Sequence, residues 1–347
     1  MTEEALVRAK CVALIEKTKH RLAQIDSASF PTNASAAARH LLSSALEVLA
    51  NVAASPAVSP EALYNGLIRF QDLVRDVEAS SSEHVSWPMV SYCDHIWMAL
   101  FPAADRQIFY SVTNEHNYTI SSFSYSLELL LTPILQEAER KALLGTQVLY
   151  CLQLASLEEE NLPLYAIIGH EFGHAVFHAH DKDVRQILAT EIISTLNSMS
   201  TDFSNFDSHS ASRRGVKTAK IIVAIATELF CDLVGHLVCG PAFLLSLSEM
   251  SWGSDATKWT GRLFSRVAGY PSFAFRLHCL TQQPALASYE IDAVKAFLRL
   301  DKPALKTVGA YVSGLPAMIL KIRLSSLLTQ TLIEMPSKGC WPIISQI

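Results

Sequence analysis

The stretch Leu162-Pro163-Leu164-Tyr165-Ala166-Ile167-Ile168-Gly169-His170-Glu171-Phe172-Gly173-His174-Ala175-Val176-Phe177 decides how this chain is read. Apolar residues surround two histidines four apart, and on a helix such a pair lies about 40° apart around the axis and one turn along it. Both imidazoles can then reach one metal ion. Glu171, on the adjacent ridge, can reach a water at an open coordination position and act on it as general base. The apolar neighbours predict a buried helix over 163–179.

Twelve histidines are present in the 347 residues. A chance HExxH pattern is therefore expected in roughly a few per hundred such chains. A second feature carries the argument further. Glu228 and Asp232 lie four apart within Ile221-Ile222-Val223-Ala224-Ile225-Ala226-Thr227-Glu228-Leu229-Phe230-Cys231-Asp232-Leu233-Val234. Two carboxylates on one face of so apolar a helix are costly to bury unpaired. A divalent cation with a histidine partner removes that cost. This helix is predicted over 216–238, ending at Cys239-Gly240-Pro241.

HExxH followed by ExxxD on a later helix resembles the gluzincin zinc metallopeptidases, and the texture is closest to the soluble M48-like peptidases. The resemblance covers about 162–277 and implies a zincin-like catalytic core with zinc held by His170, His174 and Glu228. It also implies that Asp232 orients an imidazole. That group tends to carry a His-Pro segment with an arginine six residues after the histidine. Tyr270-Pro271-Ser272-Phe273-Ala274-Phe275-Arg276 keeps the proline and the arginine spacing but has tyrosine in the histidine position. A phenol can make the same hydrogen bond to a developing oxyanion, so Tyr270 is a candidate catalytic donor. Arg276 and His236, one turn beyond Asp232, are candidates for contact with substrate or with the ligands.

A rival assignment would use His180, ten residues after His170, as third ligand in the metzincin manner. That pattern needs glycine where Phe177 stands, to bring the chain back. On an unbroken helix His180 lies about 15 Å along the axis from His170. His178, at the end of the motif helix, is read as favoured by the helix dipole. Glu158-Glu159-Glu160 reads as a solvated acidic turn, and Trp252, Trp259 and Phe264 as core.

Composition excludes several classes. Half the residues are hydrophobic, only 18% are charged, and the net charge is −5. Global disorder is disfavoured, and no basic footprint for nucleic acid exists. The charge-free runs 142–157 and 233–248 fall short of the roughly 18–20 apolar residues that a spanning helix needs. The amino terminus MTEEALVRAKC opens a helix rather than a secretory signal. Seven scattered cysteines form no disulfide framework, and Cys231 and Cys239 read as buried thiols on one helix. The expected compartment is cytoplasmic.

The expected architecture is mainly α with a small β-sheet, carrying helical N- and C-terminal additions to the core. Helices are predicted around Leu6–Ile25, over 36–54, and from Ser59-Pro60-Glu61 to Val77. Ala79-Ser80-Ser81-Ser82-Glu83-His84 is the linker candidate. Gln107–Val112 and Tyr118–Phe123 are predicted to pair as a hairpin across Asn114–Asn117, with Gln147–Leu154 as a third strand. Further helices are predicted over 286–300 and 316–334. The domains so drawn are a helical region 1–85, a core 86–285 and a helical region 286–347.

The expected function is zinc-dependent peptide hydrolysis with Glu171 as general base, acting on a peptide or protein, with the helical ends free to recruit a regulatory partner. The alternatives are a catalytically silent zinc-binding module of the same fold, or a zinc hydrolase of a non-peptide amide.

Overall fold

The computed structural model describes residues 2–25, 30–81, 85–102, 105–113, 118–155, 165–179, 224, 227–240, 242–247, 276 and 280. Among them the chain is mainly helical, with one three-stranded sheet. It divides into two compact units, Met1–Glu160 and Asn161–Ile347.

The first unit opens with α1 (Glu3–Ile25), α2 (Asn33–Ala53) and α3 (Pro60–Glu78). The predicted periodicity holds: Cys11, Ile15, Leu22 and Ile25 form the buried stripe of α1, while Leu6 stays exposed. Local signals set the helix starts. Thr32 accepts from Ser35 N at the start of α2, and Ser59 accepts from Ala62 N ahead of Pro60 in α3. The end of α2 has no basic residue of its own, and Arg8 of α1 takes that role. Its guanidinium donates to the carbonyl of Ala53 (3.1 Å), which the helix end leaves without a partner, and to those of Ser55 (3.0 Å) and Val58 (3.1 Å) in the loop that follows.

The helix α4 (Trp87–Leu100) was not among the sequence expectations. It begins with Pro88 in its first turn and packs Trp97 against Phe101 and Tyr150, with ring centroids 4.3 and 5.2 Å away. The strands are β1 (Arg106–Thr113), β2 (Thr119–Ser122) and β3 (Val148–Ala155), with α5 (Phe123–Leu131) and α6 (Glu137–Leu144) between β2 and β3.

The predicted hairpin does not form. The sheet order is β1-β3-β2, so β1 and β2 each pair with β3 and not with one another. β1 runs parallel to β3, from Arg106 opposite Val148 to Thr113 opposite Ala155. β2 is antiparallel, from Thr119 opposite Gln153 to Ser122 opposite Tyr150. The reason lies in β3, whose residues are buried on both faces without clean alternation. A strand apolar on both faces belongs at the centre of a sheet. The polar Thr119-Ile120-Ser121-Ser122 suits an edge.

The serine-rich stretch is not an open linker where it is described. Ser80 is fully buried and its hydroxyl donates to Val77 O at 2.7 Å, while Val112 N donates to Ala79 O at 3.2 Å. One hydrophobic core joins Leu42, Leu46, Leu63 and Phe70 of the helices to Phe109, Phe123 and Cys151 of the sheet region. The boundary drawn at 85/86 therefore falls inside the first unit.

In the second unit the motif helix is α7 (Ile168–Ala179), entered through a turn in which Gly169 N and His170 N donate to Ala166 O and Ile167 O. Ile168, Phe172, Ala175, Val176 and Phe177 are buried, as the apolar run predicts. A second helix covers residues 227–239. It ends where predicted: Gly240 has φ of +59° and its N–H donates to His236 O at 2.7 Å. Residues 242–247 are helical and bury Phe243, Leu244 and Leu247. The expected helices at 286–300 and 316–334, and the 216–226 end of the Glu228 helix save residue 224, lie outside the described residues. No described helix is long and apolar enough to cross a membrane.

Replacing Arg8 with alanine strips three carbonyls of their donor. A charge-assisted set of this kind predicts a loss of about 1–2 kcal/mol. Denaturant unfolding of Arg8→Ala followed by circular dichroism checks it.

Candidate metal centre

His170 and His174 lie one turn apart on α7, with ring centroids 5.0 Å apart and the ring planes nearly perpendicular. The facing wall is the 227–239 helix. Its Glu228 brings Oε2 to 3.4 Å from His170 Nε2 and Oε1 to 3.8 Å from His174 Nε2. Asp232, one turn on, is fully buried and accepts from His170 Nδ1 at 2.8 Å. That hydrogen bond holds a proton on Nδ1 and turns Nε2 towards Glu228, where a metal ion would take the place of a second proton.

Arg276 completes the cluster. It is 1% exposed; its Nε donates to Asp232 Oδ2 at 2.8 Å and its Nη2 to Asp232 Oδ1 at 2.5 Å. The fork-shaped guanidinium thus meets both carboxylate oxygens. Nη2 also comes within 3.2 Å of His170 Nδ1, a contact between two donors once Nδ1 is protonated. Arg276 answers the charge of Asp232 and leaves Glu228 at a distance, 4.0 Å from Nη1.

Glu228 is therefore the unsettled group. Its Oε2 is buried and makes no hydrogen bond among the described residues. A buried carboxylate oxygen without a donor is costly, and a cation between it and the two imidazoles removes the cost. The distances fit this. Ligand atoms about 2.0–2.2 Å from a tetrahedral zinc lie about 3.3–3.6 Å from each other; Oε2 to His170 Nε2, at 3.4 Å, falls in that range, and Oε1 to His174 Nε2, at 3.8 Å, lies just beyond it.

The titration of the site reflects the same crowding. Burial and Arg276 both disfavour charge on His170, but the carboxylates of Asp232 and Glu228 outweigh them and raise its pKa to about 9. Burial, reinforced by His170, drives His174 down to about 4 and keeps it neutral. Asp232 is lowered in spite of its burial because Arg276 and His170 hold its charged form. Glu228 is likewise lowered against its burial, by His170 and then Arg276.

The two helices come this close because glycines line their contact. A Cβ on Gly173 would sit 2.5 Å from Cys231 Cα, and one on Gly169 would sit 3.0 Å from Gly235 Cα and 2.9 Å from Cys239 Sγ. A Cβ on Gly235 would meet His170 N at 3.0 Å and the Phe243 ring at 2.6 Å. Gly169 and Gly173 share the four-residue spacing of His170 and His174, one position earlier. Ligands and close-contact residues thus occupy neighbouring stripes of one helix. The spacing of these glycines is visible in the sequence, but nothing local marks them as contact residues.

Of the other expected residues, Glu171 is half-buried on α7. Its charge, with those of Glu228 and Asp232, adds to burial in pushing the Cys231 thiol pKa well up. His236 places Nδ1 3.2 Å from Gly240 O, at the end of its own helix. His178 is exposed in the last turn of α7. Tyr270 and His180 lie outside the described residues. One residue beside the histidines was missed as a ligand candidate. A ring nitrogen of His170, one of His174 and the sulfur of Cys231 all lie within 4.8 Å of one another. Glu228, Cys231 and Asp232 fall at i, i+3 and i+4, a signal of a shared helix face that could have revealed it.

Two substitutions test this arrangement. In Gly173→Ala the new methyl meets backbone that cannot swing aside, so a loss of about 1–3 kcal/mol is expected. Zinc binding should weaken in parallel, both read by thermal unfolding with and without the metal. Asp232→Asn should weaken zinc affinity roughly 10–100-fold, measured by competition with a chromophoric chelator.

No family model matches the chain, and neither a curated protein nor a solved structure matches it.

Proposed function

We propose that this chain is a zinc-dependent metallopeptidase of the gluzincin type, with a zincin-like core that includes α7 and the 227–239 helix. The observation that carries the proposal is the Glu228 carboxylate facing both imidazoles: Oε2, buried and without a hydrogen bond among the described residues, is 3.4 Å from His170 Nε2, and Oε1 is 3.8 Å from His174 Nε2. An oxygen and two nitrogens converging from two helices form a donor set suited to zinc. Bound there, zinc would polarise a scissile carbonyl and lower the pKa of a water to about 7.

The chain's own residues take the remaining tasks. His170, His174 and Glu228 are the ligands. Asp232 accepts the Nδ1 proton of His170, fixing the ring and making Nε2 a better donor of its lone pair. Arg276 holds both oxygens of Asp232, so this carboxylate orients the histidine without adding uncompensated charge. Glu171 follows His170 on α7 without being needed as a ligand. As general base its carboxylate takes the proton of the attacking water. It then delivers that proton to the amide nitrogen, which departs as an amine. The substrate is a peptide or protein.

General-base catalysis is worth about 10²–10⁴ in rate. Glu171→Gln should therefore lower peptide cleavage by at least 100-fold while zinc stoichiometry stays at the wild-type value. Proteome-wide cleavage profiling, beside metal analysis of both proteins, makes the comparison. Equal fragments from the two would refute catalysis by this site.

A further inference from the structure

Cys231 stands three residues after Glu228 and one before Asp232, on the helix that faces the two histidines. It is fully buried and its thiol is free. Most buried cysteines are small core hydrophobes, and Cys11, Cys93 and Cys151 sit in the first unit in that manner. Cys231 differs in its neighbours. Its sulfur and a ring nitrogen from each of His170 and His174 form a cluster no wider than 4.8 Å. The backbone of Cys231 is pressed onto Gly173, the residue just before His174, where no Cβ could fit. That contact sets the thiol at the level of the imidazoles. Cys239, two turns along the same helix, lies instead against Gly169.

Two imidazoles and a thiol therefore cluster, and the Glu228 carboxylate faces the same two rings at 3.4 and 3.8 Å. Zinc takes four ligands in a closed structural site, whereas a catalytic site keeps one position open, and sulfur is among its preferred donors. Resting on the reading that His170, His174 and Glu228 hold zinc, we propose that Cys231 is a fourth protein ligand, which closes the site in the resting protein. The thiol loses its proton to solvent as the metal–sulfur bond forms. It takes a proton back when that bond breaks to admit water and substrate. The resting enzyme is thereby latent, and release of Cys231 is the opening step.

Cobalt(II) is the probe, added to the full-length protein. A thiolate ligand gives an intense sulfur-to-cobalt charge-transfer absorption in the near ultraviolet, which nitrogen and oxygen ligands do not. Wild type and Cys239→Ala should both show the band. Cys231→Ala should lose it, with cobalt affinity weaker by at least tenfold and the d–d absorption of the bound ion retained. X-ray absorption of the zinc-loaded wild type needs no variant and should show a sulfur at about 2.3 Å. Cobalt binding without the band, or a zinc shell without sulfur, overturns the Cys231 proposal and leaves the His170, His174 and Glu228 reading standing. Failure of the wild type to bind either metal overturns both.

Discussion

Asp232 and Arg276 are both buried, one fully and the other all but fully, and the polar layout of the histidine cluster follows from their pairing. A lone carboxylate at that depth would take up a proton rather than stay charged. With the guanidinium across both its oxygens it remains ionised, and an ionised Asp232 dictates the tautomer of His170. The consequence reaches Glu228. Arg276 gives its hydrogen bonds to Asp232 and reaches Glu228 Oε2 only at 4.0 Å, so that oxygen faces His170 with no hydrogen bond among the described residues. One balanced charge pair therefore leaves one unbalanced acceptor, and that imbalance is what a cation would relieve on the proposed reading.

Such a cluster keeps its shape only if the donors cannot drift. The glycine contacts serve that end. At Gly169 and Gly173 on α7 and at Gly235 on the facing helix, even a Cβ would collide. Packed interiors resist small displacements, so ligand separations are set by helix geometry rather than by flexible side chains alone. The same closeness brings Cys231 within reach of the histidines. A looser crossing would have left that thiol as one more apolar filler.

The first unit is built on plainer terms. Its helices follow their apolar stripes and caps, and its sheet is ordered by which strand can tolerate burial on both faces. β3 can, and it takes the centre, while the shorter and more polar β2 is left at an edge. Some of its polar contacts cap helix ends and the loops beyond them, as Arg8 does after α2.

From the sequence alone, the helices with strong periodicity and local caps were legible, as were the stop at Gly240 and the histidine pair on one face of α7. These depend on residues within a turn or two of one another, and local spacing is what a sequence displays. The suspicion about Glu228 and Asp232 was legible for another reason: charge in an apolar helix demands a partner whatever the fold. Strand order was not legible, because adjacency in the chain favours a hairpin and only burial of β3 decides against it. Nor were the partners of Asp232. Arg276 lies 44 residues away from it and His170 lies 62, and their meeting depends on three-dimensional packing. The role of Cys231 was hidden in the same way. A cysteine among apolar residues reads as core until a glycine on another helix allows two backbones to touch and sets its sulfur beside two imidazoles.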